Sequence, residues 1–252
     1  MEKFDSMAAK KEGGTWEFVK TIGYAVLIAI GIRTFAYEPF NIPSGSMIPT
    51  LLIGDYLFVS KLSYGYSRYS LPFSPPVIPD RVMFTPPERG DVSVFKKPTD
   101  PSTDFIKRII GLPGDKIQVK AGILHINGKA VKREKVDDFV ALDPFGREVR
   151  VAQYRETLPN GREHLILEER GDRGGADNTG VYTVPAEHYF MMGDNRDNSV
   201  DSRAREVGFV PKQNLVGRAE ILFFSTDGAA AAWEVWRWPI ATRFTRLFQS
   251  IE

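Results

Sequence analysis

Ser46 and Lys107 are the two residues whose type and surroundings together permit nucleophilic chemistry. Ser46 lies in residues 40–51 (Phe-Asn-Ile-Pro-Ser-Gly-Ser-Met-Ile-Pro-Thr-Leu), held by proline and glycine at the outer end of an apolar run. Lys107 lies in residues 105–115 (Phe-Ile-Lys-Arg-Ile-Ile-Gly-Leu-Pro-Gly-Asp), a stretch with strand character. A serine hydroxyl is a weak nucleophile until a neighbouring base takes its proton. A lysine serves as that base when apolar burial lowers its pKa enough to leave the amine neutral. Lys107 and Arg108 are adjacent, and adjacent residues on a strand face opposite sides, so one of the two is expected to face inward. An inward Lys107 shifted to a pKa of about 7–8 would suit general-base work. The pair points to a Ser–Lys hydrolase.

A third dense segment spans residues 193–203 (Gly-Asp-Asn-Arg-Asp-Asn-Ser-Val-Asp-Ser-Arg). Its carboxylates Asp194, Asp197 and Asp201 invite a calcium reading. Counted from Asp197, however, no glycine falls at the sixth place of an EF-hand loop and Gly208 falls at the twelfth. No metal and no cofactor are expected. The segment reads instead as a polar network in which Ser199 positions the lysine while Asp201 pairs with Arg203. A Ser-His-Asp triad finds little support. Of the 3 histidines, His125 and His164 fall on hairpin strands with charged neighbours and read as surface residues. No Gly-x-Ser-x-Gly elbow is present.

These residues need elements to hold them. From Phe18 to Tyr37 the chain is apolar over about twenty residues, enough helix to span a bilayer. Lys20 and Arg33 are placed to snorkel, and Trp16 and Tyr37 suit the two interfaces. Lys3, Lys10, Lys11 and Lys20 favour an N-in orientation. Thr34-Phe35-Ala36 resembles a signal-peptide cleavage site, but Arg33 and the length favour a retained anchor. Retention would hold Ser46 close to the bilayer surface.

Beyond the anchor the pattern is strand-rich. Residues 55–63, 91–96, 116–120, 123–126, 129–132, 149–156, 163–168, 189–192 and 215–224 read as strands. Ala121-Gly122, Asn127-Gly128 and Leu158-Pro-Asn-Gly161 read as hairpin turns, and residues 63–90 as a long Pro- and Ser-rich loop. No helical period persists between residues 40 and 225, which argues against a doubly wound α/β fold. The expected fold is mostly β, with one N-terminal transmembrane helix, a β-rich catalytic core and an inserted smaller β subdomain. In domains, residues 1–15 form a tail, 16–37 the anchor, 38–120 and 185–224 the core, and 121–184 the insert. Residues 225–252 interleave Trp233, Trp236, Trp238, Phe244, Leu247 and Phe248 with Arg237, Arg243 and Arg246. That segment reads equally as a membrane-interfacial element or as a terminal helix packed on the body. Lys+Arg 33 against Asp+Glu 32 gives a net charge of +1 and no general attraction for nucleic acid. With no cysteine, disulfides and thiol chemistry are excluded.

With these segments in hand, the chain resembles the bacterial type I signal peptidases, membrane-anchored Ser–Lys endopeptidases. The resemblance rests on residues 43–50, 89–96 (Arg-Gly-Asp-Val-Ser-Val-Phe-Lys), 107–115 and 193–203, in that order behind an anchor. It implies Ser46 as nucleophile and Lys107 as general base. It also implies that Ser44 and the Ser46 N–H stabilise the oxyanion, and that Ser199, Asp201, Arg203 and Arg108 support the site. An apolar cleft selecting small residues at −1 and −3 would draw on Phe40, Ile42, Met47, Leu51, Val94, Phe105 and Ile106. The implied partners are secreted precursors with N-terminal signal peptides and the lipid bilayer, with proximity to the export translocon. The implied location is the bacterial cytoplasmic membrane, single-pass, with the catalytic domain on the outer face. Two competing readings are a membrane-anchored β-domain that binds envelope proteins without cutting them, and a self-cleaving repressor of the Ser–Lys type. The latter needs an upstream DNA-binding domain where this chain carries its apolar helix.

Overall fold

The computed structural model describes residues 14–142, 146–227 and 234–251. Helix α1 (Gly14–Phe35) opens the chain. Its apolar window Trp16–Phe35 has a mean hydropathy of 1.5 and is only 6% buried, so its side chains have almost no protein partner. Such a helix, long and apolar with few protein contacts, is a candidate membrane span by its length and composition.

The strands follow in chain order. They are β1 (Tyr37–Asn41), β2 (Asp55–Ser60), β3 (Val92–Lys97), β4 (Asp100–Gly111), β5 (Lys116–Lys120), β6 (Ile123–Ile126), β7 (Lys129–Ala130) and β8 (Lys132–Lys135). Then come β9 (Phe139–Leu142), β10 (Glu148–Thr157), β11 (Glu163–Glu168), β12 (Tyr182–Thr183), β13 (His188–Met192), β14 (Val210–Pro211) and β15 (Leu215–Ser225). The main sheet is antiparallel with the order β1-β2-β15-β3-β4-β13-β14. Residues alternate across it. Val92 and Val94 pack with Met47, Leu51, Leu57 and Leu222 in one cluster, whereas Phe95 packs with Tyr64, Ile109 and Met191 in another.

Residues 116–183 form two smaller sheets, β12-β5-β6-β7 and β11-β10-β8 with β9 also on β10. The expected core boundary at residue 120 differs from the pairing. Strand β5 bonds to β6 and β12, so the chain leaves the main sheet before it. The hairpin turns fall where the sequence places them, because Ala121-Gly122 and Asn127-Gly128 both take positive φ (46° and 73°, 53° and 81°).

The C-terminal segment packs back on β15. Phe248 N–H donates to Leu222 O at 2.7 Å, Arg243 N–H to Ser225 O at 2.9 Å and Ile251 N–H to Glu220 O at 2.9 Å. Arg246 pairs with the buried Asp55 at 2.6 Å. Trp236, Phe244 and Phe248 nevertheless stay exposed. Residues 228–233 and 252 of this segment lie outside the described residues.

Contacts at its C-terminal end tie α1 to the body. Tyr66 Oη donates to Phe35 O at 2.7 Å, and Lys61 N–H donates to Ala36 O at 2.9 Å. The chain turns directly from Phe35 into β1, whose far end begins the loop that holds Ser46.

Candidate active site

Ser46 stands on a single 3-10 turn, Gly45–Met47, between β1 and β2. Met47 and Leu51, both fully buried, anchor this loop on the main sheet and hold Ser46 at the surface of the core. Lys107 lies on β4, a strand flanked by β3 and β13. Its Nζ is 2.8 Å from Ser46 Oγ and 2.8 Å from the carbonyl of Ile106, and the side chain is buried. Removal from water pushes the Lys107 amine down to about 8, against the smaller opposing pull of Asp201 and Asp194. A substantial fraction is then neutral near pH 8, and the same 2.8 Å contact can run with Ser46 Oγ–H donating to the amine.

Arg108 is buried as well, so both members of the Lys107–Arg108 pair are inside, where one had been expected. The reason is pairing. Arg108 donates from Nε and Nη2 to Asp194 at 2.9 and 2.8 Å, and from Nη1 to Gly90 O at 2.7 Å. Burial would raise the Asp194 carboxyl, but Arg108 outweighs it and holds the group below its ordinary value. Thr50 Oγ1 also donates to Asp194, at 2.6 Å, so this ion pair clamps the serine loop to the 193–203 segment.

That segment is a second wall of the site. Asp201 accepts from Gly193 N–H at 3.0 Å and is paired with Arg203 at 2.9 Å. Arg203 outweighs the effect of burial and keeps the Asp201 carboxyl low. The expected hydrogen bond from Ser199 to Lys107 is absent. Ser199 Oγ is buried without a hydrogen-bond partner, beside Gly193. Gly193 has no room for a side chain, since a Cβ would collide with Ser199 Oγ and lie 2.5 Å from the carbonyl oxygen of Ser46. Ser44 Oγ lies 3.4 Å from Ser46 Oγ.

An open cleft of about 750 Å³ runs past Ser46 and Lys107, with Phe40, Ile42, Val94, Phe105 and Ile106 among its apolar walls. Met47 and Leu51 do not line it. Both are 0% exposed and belong to the core beneath. Strand β13 ends opposite Arg108, so β4 from Thr103 to Lys107 has no β13 partner on the cleft side.

Asn195 is a site residue that the sequence reading missed. Its N–H donates to Ser46 O at 3.1 Å, and its Nδ2 donates to Gly45 O at 3.3 Å and to Glu169 Oε1 at 2.9 Å. It lies within the 193–203 box, but nothing local marks it as the partner of a turn 150 residues earlier. His164, expected at the surface, is buried on an inward position of β11 beside Glu156 and Arg196. Ser46 Oγ itself bonds to Lys107 and Ser44, not to a histidine.

A family model described as signal peptidase, peptidase S26, matches residues 15–224. Signal peptidase I of Rickettsia typhi is 44% identical over 212 residues, covering 81% of this chain and 78% of that protein. Signal peptidase I of Rickettsia conorii is 42% identical over 225 residues, covering 86% and 80%. A crystal structure of a signal peptidase I from Enterococcus faecalis aligns at 26% identity and a TM-score of 0.32, covering 53% of this chain and 97% of that one. The match across nearly the whole described body, at identities above forty per cent, identifies the chain as a member of the signal peptidase family, peptidase S26.

Proposed function

We propose that this signal peptidase cleaves the N-terminal signal peptides of secreted precursors with Ser46 as nucleophile and Lys107 as general base. The observation that carries this reading is the 2.8 Å contact between Ser46 Oγ and a buried amine whose pKa lies at about 8. The neutral amine takes the Ser46 proton as Oγ attacks the scissile carbonyl, and the resulting ammonium returns it to the leaving amine. Water then attacks the acyl-enzyme by the same relay. The Ser46 N–H and the Ser44 hydroxyl stabilise the oxyanion, Ser44 turning from Ser46 Oγ toward the substrate as it does so.

Substrate adds as an extended strand beside residues 103–107 of β4, the stretch with a free edge. Backbone hydrogen bonds supply affinity there, and the walls at Phe40, Ile42, Val94, Phe105 and Ile106 supply selectivity for small residues at −1 and −3. Met47 and Leu51 shape the pocket floor from below. The helix α1 spans the bacterial cytoplasmic membrane with its N-terminus inside. The short path from Phe35 to Ser46 keeps the cleft at the outer lipid surface, near the translocon that delivers the precursor.

The test is cleavage, in detergent, of a precursor carrying an Ala-x-Ala site. Wild type is expected to cut after the second Ala. Ser46→Ala and Lys107→Ala are each expected to lose about 10²–10⁴-fold or more. Lys107→Arg should be as inactive as Lys107→Ala, because a guanidinium does not give up its proton. An active Ser46→Ala or Lys107→Ala would remove the dyad and bring the non-catalytic binding reading forward.

A further inference from the structure

Next to the catalytic loop, three carboxylates from separate segments converge. Glu168 ends β11, Asp177 lies in the following loop and Asp197 lies in the 3-10 turn Arg196–Asn198. One oxygen of each lies within 4.8 Å of the other two, with Glu168 and Asp177 buried and Asp197 half-buried. The arginines around them are already committed to other carboxylates. Arg133 grips Asp172 at 2.8 and 2.9 Å, Arg196 grips Glu156 at 2.9 and 2.5 Å, and Arg203 holds Asp201 at 2.9 Å. Arg133 reaches Glu168 Oε1 only at 3.9 Å.

A second observation concerns Glu168 itself. Its residue is 2% exposed, and its Oε2 is buried with no hydrogen-bond partner. A buried carboxylate oxygen without a partner is uncommon in a folded protein and calls for a ligand or an ion. The other two carboxylates are held by backbone. Asp197 Oδ2 accepts from Arg170 N–H at 2.7 Å, and Asp177 Oδ2 accepts from Gly174 N–H. Gly174 wraps so closely that a Cβ there would collide with Asp197 Oδ1.

We propose that Glu168, Asp177 and Asp197 bind one divalent cation, calcium by its chemistry. The donors are all carboxylate oxygens with no sulfur or imidazole, which selects a hard cation. Calcium takes bonds of about 2.3–2.6 Å in irregular geometry, so one ion bridges oxygens up to about 5 Å apart. Magnesium demands a tighter octahedron at about 2.0–2.1 Å. Calcium takes six to eight oxygens, so solvent would have to supply the rest of the shell. The ion ties the loop after β11 to the turn that leads into Ser199, and it binds whether or not Ser46 is the nucleophile. Without an ion the cluster has one other remedy, a shared proton. Burial, reinforced by Asp177 and Asp197 and only partly offset by Arg196, pushes the Glu168 carboxyl up to about 8.

The experiment uses the full-length protein in detergent, stripped with chelator and titrated with calcium by calorimetry and by thermal unfolding. Wild type is expected to bind one calcium, with Tm rising by about 5–10 °C at a hundredfold excess over Kd. Ser46→Ala is expected to bind equally well. Glu168→Gln and Asp177→Asn are expected to lose the response, and the half-buried Asp197→Asn serves as the variant least prone to misfold. The proposal is overturned if wild type shows no saturable binding up to about 1 mM, the range of extracellular calcium modules. It is equally overturned if the variants bind like wild type. A wild type indifferent to calcium, with a Glu168→Gln more stable than it, would identify the proton as the remedy and also end the proposal.

Discussion

At the scale of single residues, the proposed general-base role of Lys107 requires a neutral amine, and its burial beside Ser46 leaves a substantial fraction neutral near pH 8. The sign follows directly. Below about 8 the amine carries its proton and cannot take one from Ser46, so kcat/KM is expected to fall about tenfold per pH unit on the acid side. A pH profile that stays level down to about 5 would contradict an amine base. Ser199 makes a second prediction. Its orphaned hydroxyl costs stability where it stands, and under the proposed mechanism it would gain a partner by turning toward Lys107 when substrate binds. Ser199→Ala should therefore lower kcat and move the acid limb of the profile while leaving Tm unchanged or slightly higher. The pairing of Ser46 with a buried Lys107 was legible in the sequence because residue type and apolar immediate neighbours point to it. The burial of Arg108 was not, because it depends on Asp194, 86 residues further along; that of His164 was not, because it depends on Arg196, 32 residues further along, which packs over it and Glu156.

At the scale of elements, the site is the meeting of one loop, one strand and one turn-rich segment. The longer strands were readable from alternation and the hairpins from Ala-Gly and Asn-Gly, since both are local signals, whereas β1, β8, β9, β12 and β14 were not, being short or polar. The exit from the main sheet before β5 was not readable, because an apolar strand looks the same whichever sheet it joins. Gly193 carries the sharpest test of the element packing. Gly193→Ala forces a Cβ against Ser199 Oγ and the Ser46 carbonyl, so activity should fall by at least about tenfold with the fold retained, as judged by circular dichroism. The buried pair of Arg196 and Glu156 joins the 3-10 turn to β10. Arg196→Ala leaves Glu156 buried without that partner and should cost about 3–5 kcal/mol in denaturant unfolding. The exposed Lys132→Ala should leave the same curve unchanged, because solvent screens its pair with Glu134.

At the scale of the whole molecule, α1 and the β body make few contacts and do different work. Deleting residues before β1 removes the exposed apolar helix but leaves the three apolar clusters of the body intact. The truncated body is expected to keep its cooperative unfolding and its cleavage of short soluble peptides. It should lose efficiency on membrane-inserted precursors, which is measured by comparing the two substrates in liposomes. The hydrogen bond from Lys107 to Ser46 closes a separation of 61 residues, and that from Asn195 to Gly45 closes one of 150. Contacts so distant along the chain form late, after the intervening strands have paired. A chain leaving the ribosome thus exposes its serine long before its base and its supporting turn exist. On the proposed mechanism, hydrolytic power then arrives only with completion of the body, and a nascent fragment ending before Lys107 should not cut a signal peptide.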